Sequence, residues 1–283
     1  MTDERHGVRL VVAYDGTAFH GWQEQRSGLR TVQATLAEAA SQLSQHPVEV
    51  RGASRTDAGV HAEGQVAAFA TGRALSPRRW VYALNRYLPP DVSVRAAEPC
   101  EPDYEPRFDA RDKIYRYVFH LGATRHALLR DRAWHLGRYI KRHFPEPNSL
   151  AHAKPLLDLA AMREAAAVMV GSHDFRAFRA AADDRETTER TMYRVELTEA
   201  WAGDPELLAL TVHGSAFMKN MVRIMAGTLI DVGRGRISPD EVRALLSESA
   251  DRRQAGMTAP PEGLTLVQVR LGRLRAGASR SDR

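Results

Sequence analysis

The sequence predicts an α+β fold in which one order of elements occurs twice. Hydrophobic residues alternate in some segments and recur with helical spacing in others, which separates strands from helices. In chain order these segments give β-α-β-β-α-β in each half, which is the order of a ferredoxin-like unit. The length of 283 residues is about that of two average domains. We therefore expect two ferredoxin-like halves that join into one long antiparallel or mixed sheet with helices on one face.

The first half has clear signals for where its helices begin and end. Thr31 is a candidate N-cap, and Ser76 followed by Pro77 gives the cap-then-proline order that opens a helix. Two consecutive prolines, Pro89 and Pro90, stop that second helix. The predicted elements are a strand over 8–14, a helix over 31–46, strands over 48–55 and 65–70, a helix over 76–88 and a strand over 91–96.

The second half repeats this order less cleanly. Alternation predicts a strand in the segment KIYRYVFHL, and Ser238 with Pro239 gives another cap-then-proline start. The predicted elements are a strand over 113–121, a helix over 156–170, strands over 193–201 and 207–213, helices over 217–232 and from 238, and a strand over 264–271. We place the first domain at 1–104 and the second at 105–271.

Three stretches stand apart from this pattern. Residues 137–155 form a basic insertion with three prolines, which we expect to be a long excursion between elements. Residues 180–189 are polar and predict a mobile loop. The tail at 272–283 is basic and rich in small residues, so we expect it to be disordered.

Composition excludes several classes of protein. With one cysteine, Cys100, the chain has neither an internal disulfide nor a thiolate-rich zinc or iron–sulfur site. The start resembles no signal peptide, and no apolar run approaches the roughly 18 residues of a membrane span, so we expect a cytoplasmic protein without a membrane partner. The net charge is +5, and most basic residues are arginine. That bias fits a nucleic-acid partner, although codon usage in a GC-rich genome would also produce it.

The most unusual segment is RGASRTDAGVHAEGQ at 51–65. It lies between two predicted strands, and its glycines permit a tight loop that presents Arg55, Asp57 and His61 at the edge of the sheet. A carboxylate beside an arginine stays ionised at neutral pH, so Asp57 is a candidate nucleophile or general base. The alternative is that Thr56 and Asp57 only form an Asx-type turn.

Other candidate sites are weaker. There is no H-E-x-x-H or paired-cysteine motif, which argues against a metal site, and no phosphate-binding loop or nucleophile elbow. Tyr115 and Tyr117 share one face of a strand, where they either stack on RNA bases or lie at the edge of the core. Arg223 has apolar helical neighbours and either extends to solvent or neutralises a buried acid.

Eight segments in order along the chain resemble the TruA-type tRNA pseudouridine synthases. The segment RTDAGVHA at 55–62 is similar to the signature of that family. The other segments are YDGTAFHGWQ at 14–23, TVQATLAEA at 31–39, ALNRYLP at 83–89, KIYRY at 113–117, GSHDFRAF at 171–178, NMVRIMAGTL at 220–229 and APPEGLTL at 259–266.

The resemblance implies a reaction and a set of residues that perform it. The reaction is the isomerisation of uridine to pseudouridine at positions 38, 39 and 40 in the anticodon arm of tRNA, by a homodimer without a cofactor. The family's catalytic aspartate maps to Asp57, the arginine that pairs with it to Arg223, and the tyrosine against the target uracil to Tyr115. Leu264 is implied to line the pocket, and Arg55 to hold the flipped-out nucleotide.

Further RNA contacts are expected outside this pocket. Extruding a base from its stack costs a few kcal/mol, and contacts to the RNA help to offset that cost. The candidates for these contacts are Arg107, Phe108, Arg176 and Arg179.

The chain departs from the family pattern at a few positions. Ser54 stands where the family usually has glycine, so the loop is expected to bend slightly differently. The insertion at 137–155 is longer than expected for a bacterial member. Asp183 and Asp184 make the loop after Phe178 unusually acidic.

Two other functions remain open from the residues alone. One is a metal-dependent hydrolase or nuclease with Asp57 and His61 as ligands, although a third clustered ligand is missing. The other is a non-catalytic RNA-binding module on the same sheet, for which the carboxylate of Asp57 has no chemical role.

Overall fold

The structure, a computed structural model, describes residues 5–25, 28–137, 157–181, 183 and 187–272. The chain divides into two compact units, one formed by Met1–Lys113 with Leu266–Arg283 and the other by Ile114–Thr265. The domain division between residues 104 and 105 stays a prediction. Most of the basic insertion, most of the tail and part of the loop at 180–189 lie outside the described residues.

The first unit has the predicted order of elements. Strand β1 lies between β3 and β4 and is antiparallel to both, while β2 pairs antiparallel with β3. The order β-α-β-β-α-β is therefore confirmed in this unit. The elements are β1 (His6–Tyr14), α1 (Val32–Ser44), β2 (Arg51–Gly52), β3 (His61–Thr71), α2 (Pro77–Tyr87), β4 (Val92–Cys100) and α3 (Pro106–Asp109), with the start of β5 (Ala110–His120) and most of β10 (Leu264–Leu271).

Both long helices of the first unit bury one apolar face. Helix α1 follows Thr31, whose Oγ1 accepts a hydrogen bond from Ala34 N at 3.4 Å, as an N-cap does. Helix α2 buries Trp80 and Leu84, and the Trp80 ring packs edge-on against Phe69 of β3 with 5.4 Å between centroids. The buried residues of α1 include Val32, Leu36, Ala39, Ala40 and Leu43.

Strand β2 is much shorter than the strand predicted over 48–55. Val48 N donates a hydrogen bond to Ser41 Oγ at 2.9 Å, and Val50 O accepts one from Gln33 Nε2 at 2.8 Å. Side chains of α1 thus satisfy backbone groups that a neighbouring strand would otherwise satisfy. Ladder pairing is confined to the two residues of β2.

The second unit has the same succession with additions. Its strand order is β5-β9-β8-β7; β8 is antiparallel to both neighbours, and β6 runs parallel to β5. Strand β7 is absent from the predicted elements. The further elements are β6 (Trp134–His135), α4 (Leu159–Val168), β7 (Gly171–Asp174), β8 (Glu189–Glu199), β9 (Leu207–Gly214), α5 (Met221–Gly233) and α6 (Pro239–Ala244).

Helix α5 begins four residues later than predicted. Asn220, immediately before it, has φ 61°, which lies in the left-handed region and is incompatible with a right-handed helix. Helices α4 and α5 pack against each other.

The predicted α+β class with a mixed sheet is confirmed. Among the described residues, no helix combines the length and apolar character needed to cross a membrane.

Candidate active site

A buried glutamine fixes the loop that carries Asp57. Residues 53–60, which we call the Asp57 loop, connect β2 to β3. The side chain of Gln65 is fully buried; its Oε1 accepts hydrogen bonds from Ser54 N and Val66 N, both at 3.2 Å, and its Nε2 donates to Ser54 O at 2.6 Å. Losing one of these partners would leave buried polar groups unsatisfied, so Gln65 sets the path of the loop as it leaves β2.

The segment after β1 holds the same loop from its other side. The Tyr14 hydroxyl lies 2.8 Å from Thr56 Oγ1, and Trp22 N donates to Thr56 O at 3.0 Å. Gly59 N donates to Phe19 O at 3.3 Å. The segments YDGTAFHGWQ and RTDAGVHA, far apart in sequence, therefore form one hydrogen-bonded structure.

Asp57 begins a tight turn that the backbone closes. Its carbonyl oxygen accepts a hydrogen bond from Val60 N at 3.2 Å, and Gly59 has φ 79°, as a type II turn requires at its third residue. The backbone bond from Val60 N therefore closes this turn. The Asp57 side chain is partly buried, while Arg55 is exposed.

His61 has a structural partner in the backbone. It is buried, and its Nδ1 accepts a hydrogen bond from Gly16 N at 3.0 Å. Asp15 Oδ1 lies 3.2 Å from the same nitrogen. Because Nδ1 of His61 already accepts a hydrogen bond from the backbone, that nitrogen is not available to coordinate a metal ion. Among the described residues, no group of three histidine, cysteine, aspartate or glutamate side chains could hold a metal ion.

The two candidate tyrosines of β5 are both buried. Tyr115 packs edge-on against Phe217, with 5.0 Å between ring centroids. Tyr117 is fully buried, and its hydroxyl donates to Pro260 O at 2.8 Å. Burial raises the pKa of Tyr117 well above its ordinary value. Leu264, at the start of β10, is buried as well.

Arg223 is held by groups of the protein rather than extended into water. Its Nε donates to Ala259 O at 2.7 Å, and its Nη1 donates to Asn220 Oδ1 at 2.9 Å. The side chain is partly buried. Burial raises the pKa of Glu262, an effect that the positive charge of Arg223 opposes. This environment disfavours the solvent-exposed alternative for Arg223.

The predicted RNA-contacting residues have different surroundings. Arg107 and Phe108, on α3, are both exposed, and 52% of Phe108 is accessible to solvent. Arg176 instead bonds Asp174 Oδ2 through Nε at 3.0 Å and Nη2 at 2.7 Å. Burial alone would raise the pKa of Asp174, but hydrogen bonds from Arg176 and Thr188 lower it overall. Arg179 is partly buried.

The candidate residues fall into two groups. Those in the first unit are Arg55, Asp57, Arg107 and Phe108, and those in the second are Tyr115, Arg176, Arg179, Arg223 and Leu264. The pairing of Asp57 with Arg223 stays a prediction. Sequence reasoning missed the residues that hold these groups in place; they are Tyr14, Gln65, Asp174 and Asn220. All but Gln65 lie inside segments that carry the family resemblance.

Comparisons with known proteins agree on one family. The family model described as tRNA pseudouridine synthase matches residues 10–109 and 165–271. The tRNA pseudouridine synthase A of Geobacter sulfurreducens is 43% identical over 263 residues, which cover 93% of this chain and 98% of the relative. The tRNA pseudouridine synthases A of Geotalea uraniireducens and Acetivibrio thermocellus are 42% and 39% identical, each over 262 residues, with the same coverage of both chains.

Proposed function

Because the chain belongs to the tRNA pseudouridine synthase family, we propose that it isomerises uridine to pseudouridine in the anticodon stem-loop of tRNA, at positions 38, 39 and 40. The enzyme is an isomerase that acts on tRNA. The observation that carries the proposal is similarity over 93% of the chain to relatives of that name. The Asp57 loop, which the buried side chain of Gln65 holds by hydrogen bonds, is the part of the structure that best fits a catalytic role.

The reaction exchanges one glycosidic bond for another. The bond between C1′ and N1 breaks, the uracil turns, and a bond forms between C1′ and C5. The hydrogen on C5 leaves as a proton and N1 gains one, so the atoms and electrons balance. No step changes the oxidation state overall, which is why we propose that the enzyme works without a cofactor.

Asp57 is the proposed catalytic residue. Its carboxylate either attacks C1′, to form a covalent intermediate, or removes the proton from C2′. Both routes begin from the ionised form of the side chain. A carboxylate in a pocket with little water favours its neutral form unless a cation compensates. In the proposal Arg223 is that cation.

Three further residues complete the proposed pocket. Tyr115 packs against the uracil and offers its hydroxyl while the C5 proton is removed. Leu264 lines the apolar side of the pocket, and Arg55, which is exposed, holds the extruded nucleotide. These roles are consistent with a flipped base that is held by ring contacts and by charge.

The proposed RNA contacts extend beyond the pocket. The exposed ring of Phe108 beside Arg107 suits stacking on an unpaired base next to a phosphate. Arg176 and Arg179 are the proposed contacts from the second unit; Arg176 reaches a phosphate only if it exchanges or shares its bond to Asp174. We also propose that the enzyme is a cytoplasmic homodimer.

The test is direct conversion of an unmodified transcript. Purified protein is incubated without added metal with tRNA that carries uridine at positions 38, 39 and 40, and pseudouridine is then mapped along the chain. We expect pseudouridine at these positions only. A transcript with cytidine at all three positions is the control and should stay unmodified.

The same assay separates the alternatives. Pseudouridine elsewhere in the tRNA would overturn the proposed position but not the reaction. Cleavage of the RNA that a chelator abolishes would favour the hydrolase. Binding of tRNA without any conversion would favour the RNA-binding module.

A further inference from the structure

Asn220 adopts an unusual role at the start of α5. It stands at the N-cap position with φ 61° and ψ 3°, in the left-handed region that asparagine tolerates better than most residues. An asparagine at an N-cap ordinarily accepts a hydrogen bond from the first turn of its helix, but Asn220 makes no such bond. Its Oδ1 accepts a hydrogen bond from Arg223 Nη1 at 2.9 Å instead.

The backbone carbonyl of Ala259 is the second acceptor that holds the guanidinium of Arg223. Arg223 Nε donates to Ala259 O at 2.7 Å, and Ala259 N donates to Arg223 O at 3.1 Å. The guanidinium is rigid and planar, so bonds to two of its nitrogens from two directions define the orientation of the whole group. The third nitrogen is thereby fixed in direction too.

The Ala259 acceptor is immobilised by close packing on α5. Gly256 N donates to Thr228 Oγ1 at 2.9 Å, and Gly227 has no room for a Cβ because the carbonyl of Met257 lies against it. The segment 256–259 therefore follows the helix at close range. The position of the Ala259 carbonyl is set by α5 itself.

The Asn220 acceptor is immobilised by the turn that precedes the helix. Lys219 N donates to Asp183 Oδ2 at 2.6 Å, and Ala180 N donates to Lys219 O at 3.2 Å. On the helical side, Ile224 N donates to Asn220 O at 2.9 Å. The backbone of Asn220 is thus held from both directions, and its side chain starts from a fixed point.

We propose that Asn220 is a positioning residue that orients the guanidinium of Arg223 for catalysis. The inference rests on the proposed function, in which Arg223 accompanies the catalytic carboxylate. A displacement of about 1 Å in a catalytic group can lower a rate by about a hundredfold. If Asn220 served only the left-handed entry into α5, glycine would replace it without loss, because glycine adopts that conformation freely.

Two variants separate these roles. Asn220→Gly keeps the left-handed backbone and removes the acceptor, whereas Gln45→Gly makes the same backbone change at an exposed residue of the first unit that also has φ 61°. Each is assayed for the single-turnover rate of pseudouridine formation with enzyme in excess, and for the Kd of tRNA. The positive charge of Arg223 also acts to lower the pKa of Glu262 and of Tyr117, against the effect of burial. All rates are therefore compared at one pH.

We expect Asn220→Gly to lower the single-turnover rate by about tenfold to a hundredfold, with the Kd of tRNA and the midpoint of thermal unfolding unchanged. Gln45→Gly should keep the wild-type rate because its side chain has no part in the proposed chemistry. A wild-type rate in Asn220→Gly would overturn the inference, and so would an equal fall in rate in Gln45→Gly. Absence of pseudouridine with the wild-type enzyme would instead overturn the proposed function, and the inference with it.

Discussion

At the scale of single residues, the proposed chemistry depends on two charged residues, one in each unit. Asp57 begins a turn that the backbone bond from Val60 N to its carbonyl oxygen closes. Arg223 is oriented by Asn220 and by the carbonyl of Ala259. The electrostatic attraction between a carboxylate and a guanidinium depends on their separation and orientation. The contacts that position Asp57 and Arg223 therefore matter to the proposal as much as their charges.

Asp57→Asn tests the proposed catalytic residue, because the amide is nearly the same shape but neither attacks carbon nor accepts a proton. We expect tRNA binding to persist while the rate falls by at least about three decades, or roughly 4 kcal/mol of barrier. Single-turnover conversion and a binding isotherm measure the two quantities. Asp103→Asn, an equal change of charge on an exposed residue of the same unit, is the matched control; substantial turnover by Asp57→Asn would exclude the assignment.

Arg223→Met tests the proposed cation. In the proposal the guanidinium stabilises the ionised form of the Asp57 carboxylate, and Arg223→Met removes that stabilisation. We expect kcat/KM to fall by about a hundredfold or more. The measurement is kcat/KM for the tRNA substrate, with Arg243→Met on α6 as the control for loss of a positive charge in the same unit; an unchanged kcat/KM would contradict the proposed role of Arg223.

At the scale of elements, β7 and the turn after it are joined by a local ion pair. Asp174 at the end of β7 accepts hydrogen bonds from the backbone and the side chain of Arg176. The turn Arg176–Phe178 buries Phe178, so the ion pair fixes the direction in which the chain leaves the strand. The same bond holds a cation that the proposed function assigns to RNA.

Asp174→Asn tests this ion pair through its pH dependence. The folded state lowers the pKa of Asp174, so the pair stabilises the protein above a pH of about 4 and loses that effect as the pH falls through the folded-state pKa. We expect Asp174→Asn to lower the free energy of unfolding at pH 7, because the variant loses the charge-assisted hydrogen bonds to Arg176. Urea unfolding at pH 7 and at low pH measures it; an equal loss at both values would show that charge is not the cause. Asp240→Asn, an exposed acid also paired with an arginine, is the control.

At the scale of the whole molecule, the positive charge predicts how tRNA affinity responds to salt. Each phosphate that a cation neutralises releases counterions. A protein that makes about four such contacts loses about a hundredfold in affinity when the salt concentration rises from 50 to 200 mM. Binding isotherms across that range measure the slope. Arg107→Ala should reduce the slope by about one contact, whereas Arg243→Ala should leave it unchanged, and a slope near zero for the wild type would contradict the proposed contacts to phosphate.

The sequence predicts the class and most of the elements because their signals are local. Thr31 caps α1, and Trp80 and Leu84 form the buried face of α2, as their spacing indicates. Strand β2 could not be predicted at its true length, because the side chains that satisfy its flanking backbone belong to another element. The left-handed Asn220 that delays α5 has no signal in hydrophobic periodicity.

For the candidate site, sequence predicts the residues that carry charge but not those that hold them. Asp57 and Arg223 stand in segments that resemble the family. The acceptor of Arg223 Nε is a backbone carbonyl 36 residues away. Every residue has a backbone carbonyl, so the sequence does not show which one accepts this bond. Gln65 is an ordinary polar residue in a strand until its burial is known.

The amide of Gln65 also limits which mutations this gene tolerates. One nucleotide change converts a glutamine codon into a glutamate codon, so Gln65→Glu arises readily by chance. The nitrogen that now donates to Ser54 O at 2.6 Å would become an oxygen facing another oxygen, and only a protonated acid would relieve the repulsion. At neutral pH the mutation would therefore disturb the Asp57 loop at Ser54, although Gln65 itself has no assigned role in the chemistry.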